Sequence, residues 1–102
     1  MQVIHHSRVA WDTARLIVGA TDDEDLFGWL SHEIGDLLGP TIEDALRDTR
    51  DQVRRGGRDR ALVESGLWRV RLEDSLRDRP ALAEELRSLT TIGSGLLRAR
   101  HP

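Results

Sequence analysis

The stretch TIEDALRDTRDQVRRGGRDRALVESGLWRVRLEDSL, residues 41–76, decides the fold. Ile42, Ala45, Leu46, Thr49 and Val53 recur at the spacing of one face of a helix, and Gly56-Gly57 ends that pattern. A second helical pattern begins near Arg58 or Asp59 and carries two apolar rows. One runs through Leu62, Trp68, Leu72 and Leu76, the other through Val63, Leu67 and Val70, which predicts burial over a wide face. Two amphipathic helices joined by a glycine pair form an antiparallel hairpin. Thr41 followed by Asp44 resembles a capping box with Asp in place of Glu, and marks where the first of them starts.

Outward from the hairpin, Pro40 and Pro80 punctuate the chain, because proline rarely occupies a helix interior. Before Pro40, Asp22, Asp23, Glu24 and Asp25 place negative charge at a helix start that Thr21 or Asp22 can cap. Leu26, Phe27, Leu30, Ile34, Leu37 and Leu38 form its stripe, and Gly39-Pro40 its stop. Further upstream Ser7 is a candidate cap for a helix bearing Trp11, Ala14, Ile17 and Val18. Downstream, Asp78-Arg79-Pro80 opens a last helix with Leu82, Leu86, Leu89 and Leu96 as its seam. Thr90, Thr91, Ile92, Gly93 and Gly95 predict a break in it and a flexible tail from about residue 93, since glycine in a helix costs about 0.5–1 kcal/mol relative to alanine. No alternation long enough for a strand occurs. The expected fold is all-α: a small bundle of about five helices in a single domain, 1–102, built on the hairpin of the third and fourth helices. Trp11, Trp29 and Trp68, on three different helices, are expected to knit its core.

Composition narrows the function classes. The 102 residues suffice for one small core, with 38% hydrophobic and 32% charged residues. There is no Cys, which removes disulfides, thiol nucleophiles and thiolate zinc sites, and no Lys, which removes Schiff-base chemistry and a phosphate-loop lysine. The fifteen cations are all Arg, as a GC-rich coding sequence tends to produce. His5, His6, Arg8, Asp12 and Arg15 interrupt the N-terminal apolar residues, so neither a signal peptide nor a membrane span is expected and a cytoplasmic location is.

The net charge of −3 conceals a division. From Asp22 to Asp44 there are eight carboxylates and no Arg; from Arg47 to Arg100 there are thirteen Arg and nine carboxylates. Such separation is met by solvated helix faces, by pairing within one fold, by a partner, or between copies of the chain. The densest basic run, Arg47, Arg50, Arg54, Arg55, Arg58 and Arg60, is interleaved with Asp48, Asp51 and Asp59. It is less cationic than a nucleic-acid footprint and lacks aromatic readers, and much of it reads as ion pairing at three- and four-residue spacing. A regulatory module contacting nucleic acid through this run is the second functional reading.

Candidate chemistry is sparse. Ser31-His32-Glu33-Ile34 departs from the zinc-protease pattern because Asp36 stands where the second His is needed. The same tetrapeptide resembles the phospho-accepting box of sensor histidine kinases. That resemblance implies His32 as phosphorylated nucleophile with Glu33 as its base, although Gly35-Asp36-Leu37 replaces the family's Arg-Thr-Pro. Adjacent His5 and His6 diverge by about 100° on a helix and cannot clamp one metal. Gly93-Ser94-Gly95 lacks the Lys of a phosphate loop. No catalytic residue, metal site, cofactor or small-molecule substrate is therefore assigned.

From Leu46 onward the chain resembles a group of small uncharacterised helical proteins of actinobacteria. The likeness lies in Leu46 and Arg50, the Arg54-Arg55-Gly56-Gly57 turn, Trp68-Arg69-Val70-Arg71-Leu72, Leu76, Asp78, Pro80, Leu82-Ala83 and Glu85-Leu86. It implies a bacterial, cytoplasmic, helical protein and supplies no site residues. The leading expectation is thus a non-enzymatic module for protein–protein association or self-assembly, with Leu62, Leu67, Trp68, Val70, Leu82, Leu86 and Leu89 as candidate interface.

Overall fold

In the computed structural model, which describes residues 5–102, Gly57 turns the chain back on itself at φ 66°, ψ −150°, a conformation essentially restricted to glycine. Residues 1–4 of the expected 1–102 domain lie outside the described residues. The helical run α3, Pro40–Asp78, is 39 residues long and contains this turn. A straight helix of that length would reach about 58 Å, whereas the longest dimension of the fold is 41 Å. Its two arms, 40–56 and 58–78, lie side by side. Thr49 on the first donates to Glu64 on the second at 2.7 Å, and Trp68 on the second donates to Thr49 at 2.6 Å.

Three further helices cover the arms: α1 (His6–Gly19), α2 (Glu24–Leu38) and α4 (Ala83–Arg100), the last preceded by a short 3-10 turn at Pro80–Leu82. The described residues therefore form an all-helical fold of four helices when α3 is taken as one run, and the expected third and fourth helices are its two arms, separated at the non-helical Gly57. Helices α1 and α2 each pack on both α3 and α4. Ile17, Phe27, Leu30, Ile34, Leu46, Trp68, Leu72, Leu76 and Leu86 fill the centre. Removing one such large side chain costs about 2–5 kcal/mol.

The local signals shift in detail. Asp23, not Thr21 or Asp22, caps α2, its carboxylate accepting from the Leu26 backbone N–H at 3.1 Å. His5 precedes α1, so Ser7 lies inside it. Gly39, at φ 107°, joins α2 to α3 alone; Pro40 is the first helical residue and Thr41 caps nothing. The expected break in α4 is absent, and the segment from 93 is helix as far as Arg100. Gly93 is buried there against α1, where a Cβ would stand 2.7 Å from Leu16 Cδ2, so the glycine permits close packing of the two helices. The buried hydroxyls of Thr13 and Thr90, 2.6 Å apart, tie the same pair.

Candidate interaction surface

Helical periodicity on the second arm of α3 sets which side chains face water. Trp68, Leu72 and Leu76 are fully buried and Glu64 nearly so, and together they define the inward side. At about 100° per residue, Gly66 falls on the opposite side, with Leu62 and Val70 one turn before and after it. Leu62 is 70% exposed, Val63 49%, Leu67 43% and Val70 48%. These four aliphatic residues form one outward apolar face. At its flank Trp11 of α1, 38% exposed, lines a shallow groove of about 440 Å³ with Arg8 and Arg69.

The candidate interface therefore divides. Leu62, Leu67 and Val70 are on this face, whereas Trp68, Leu86 and Leu89 are buried in the chain's own core and Leu82 packs partly buried against it. The row read as Leu62, Trp68, Leu72 and Leu76 mixes the two sides, since six residues separate its first members and four separate the rest. Of the tryptophans, Trp68 is central and Trp29 packs against the core, but Trp11 is exposed. Val63 belongs to the same outward face although it is not among the candidate interface residues, and the partly exposed Gly66 lies between Leu62 and Val70; projecting the arm about Trp68 as its buried side identifies both.

The basic run does not form a uniform patch. Arg60 donates to the buried Glu64 at 2.6 Å, and the Arg50 guanidinium lies 5.9 Å from the Phe27 ring centroid. Arg47 is shared between Glu43 and Asp44, each at 3.5 Å. Arg54, Arg55 and Arg58 remain exposed, and the first two line a shallow depression with Asp51. Four of the six arginines thus have partners within the fold, since Arg55 also donates to the Asp51 backbone carbonyl at 3.3 Å, and each of the four has one four or fewer residues away.

His32 stands exposed on α2, its Nε2 3.4 Å from an Asp36 carboxylate oxygen. Glu33, proposed as its base, leaves the helix about 100° away. Among the described residues no group of three or more His, Asp or Glu could hold a metal ion, and no helix is long and apolar enough to cross a membrane.

The divided charge also meets at a part-buried cluster between distant segments. Asp23, its side chain only 5% exposed, accepts from Arg100 through both oxygens and lies 3.0 Å from His101 Nε2, joining the start of α2 to the end of α4. The Arg100 hydrogen bond, followed by the Leu26 amide, lowers the Asp23 pKa from 3.8 to about 2. Arg100 also stands 3.8 Å from the exposed Asp25. A second groove, about 450 Å³, runs between α1 and α4 past Arg15, Ser94 and Arg98. Comparison with protein-family models, with curated proteins and with solved structures finds no match to the chain.

Proposed function

We propose that the chain is a non-enzymatic helical module of a bacterial cytoplasm that works by protein–protein association, through the outward face of the second α3 arm. One observation carries this reading: Leu62, Val63, Leu67 and Val70 lie together in water on the side of the arm opposite the core. Covering apolar surface is favourable by about 25 cal/mol per Å², and a contiguous exposed apolar patch marks an interaction site more often than isolated apolar residues do. The small core, which leaves limited surface to bury within one chain, favours association further. The bacterial setting is supported by the resemblance of the C-terminal half to actinobacterial helical proteins.

Size-exclusion chromatography with light scattering, run over a range of concentrations, tests the reading together with capture of partners from the native host. Wild type is expected to give a larger species or a specific co-purifying protein, and the doubly substituted Leu62→Ser, Leu67→Ser chain to lose it. A strict monomer without a partner, indistinguishable from that variant, would sink the proposal.

A further inference from the structure

We propose that the groove between α1 and α4 binds a small organic dianion, with one anionic end at Arg15 and the other at Arg98; the proposal is independent of the outward face of α3. The groove measures about 450 Å³, the size of a small-molecule site. Its two arginines come from different helices, and neither has a carboxylate within 4 Å among the described residues, whereas Arg8, Arg87 and Arg100 on the same two helices do. Two uncompensated like charges facing one groove repel each other and raise its positive potential, which a bound anion relieves.

Helix packing fixes how the two charges are spaced. Thr13 meets Thr90, Leu16 meets Gly93 and Gly19 meets Leu97, so α1 and α4 run parallel. On that register Arg98 is attached about five or six residues further along the groove than Arg15, about 8 Å at ~1.5 Å per residue. Side chains on both helices lean toward the helix start, which preserves the stagger. A single carboxylate or phosphate therefore reaches one guanidinium, whereas a short dicarboxylate reaches both. Between the two levels the half-buried Ser94 adds a hydroxyl donor, and Leu16 and Leu97 offer apolar contact to the linking carbons. Asp12, one turn before Arg15, opposes an anion at its own end of the groove. It is paired with Arg8 at 3.4 Å, and it confines the ligand to the stretch from Arg15 to Arg98. Both groove arginines are exposed, so binding is weak and falls with rising salt.

Titration of the isotope-labelled chain with succinate, followed by NMR at the amides of Gly93, Ser94 and Gly95, tests this, with butyrate and inorganic phosphate as single-headed probes. Succinate is expected to shift these resonances saturably and to bind at least about threefold more tightly than either probe, as a second exposed ion pair allows. Arg15→Gln and Arg98→Gln should each bring succinate down to the level of butyrate. Arg54→Gln, which replaces an exposed arginine outside the groove, should leave succinate binding unchanged. Circular dichroism verifies that each variant is folded. Four outcomes overturn the two-point site: no saturable shift, butyrate or phosphate binding as tightly as succinate, insensitivity to either groove substitution, or an equal loss in Arg54→Gln.

Discussion

Trp68 donates its indole Nε1–H to Thr49 Oγ1 at 2.6 Å, across nineteen residues of sequence, and this bond clasps the two arms of α3. The same hydroxyl donates to Glu64, whose other oxygen accepts from Arg60 at 2.6 Å. A tryptophan N–H and a carboxylate, both buried, are thereby satisfied by one threonine. Buried polar networks of this kind are stabilising when complete and strongly destabilising when half broken.

Thr49→Val keeps the shape of the side chain and removes both bonds. It is expected to lower unfolding stability by about 2–3 kcal/mol, the penalty for stranding a buried donor and weakening a buried carboxylate. Urea denaturation measures this. A loss within about 0.5 kcal/mol, typical of an uninvolved surface site, would show that the clasp contributes nothing.

Replacing Gly57 by Ala forces a Cβ into the conformation at φ 66°, ψ −150° and should destabilise the fold by about 1–3 kcal/mol, although no neighbouring atom crowds the site. Gly28→Ala, in an exposed and uncrowded helical position of α2, should instead stabilise by about 0.5–1 kcal/mol. Opposite signs in paired thermal melts are the expected outcome; equal effects would deny that Gly57 makes the turn.

Asp23 makes stability depend on acid. Its pKa is about 2 in the fold against an ordinary 3.8, so the native state favours the carboxylate. The resulting stabilisation is fully present above the ordinary value and is lost as the pH falls from 3.8 through about 2. Melting temperature should therefore fall more steeply over that interval in wild type than in Asp23→Asn. Arg100→Ala, which removes the largest cause of the shift, should move the Asp23 carboxyl titration upward in NMR. An unmoved titration would contradict the clasp between α2 and α4.

The all-helical class was legible because apolar spacing, the proline positions and the glycine pair all agree with it, and the turn at Gly57 follows from a residue with access to positive φ. The continuity of α4 was not, because propensity penalises Thr90, Gly93 and Gly95, while packing of Gly93 against Leu16 rewards the helix. The candidate surface was half legible. Leu62, Leu67 and Val70 are outward, but leucine and tryptophan carry no mark of which side of a broad apolar helix meets the core. Trp68, Leu86 and Leu89, expected at the interface, are for that reason found buried instead. Arg50 reads as surface charge because the Phe27 ring meets it only after folding, whereas Glu64 stands four residues from Arg60 in the sequence and only its burial is a product of the fold.

The most direct measurement is sedimentation equilibrium of wild type and Val63→Glu, with urea unfolding of both as the control for folding. Val63 is 49% exposed, so the glutamate is tolerated in the free chain and stability should change by no more than about 0.5 kcal/mol. A charge placed within an apolar contact should weaken association at least about tenfold. Wild type that associates with rising concentration, beside a folded Val63→Glu chain that stays monomeric, is the predicted result; an identical mass distribution for the two folded chains would contradict the outward face as the site of association.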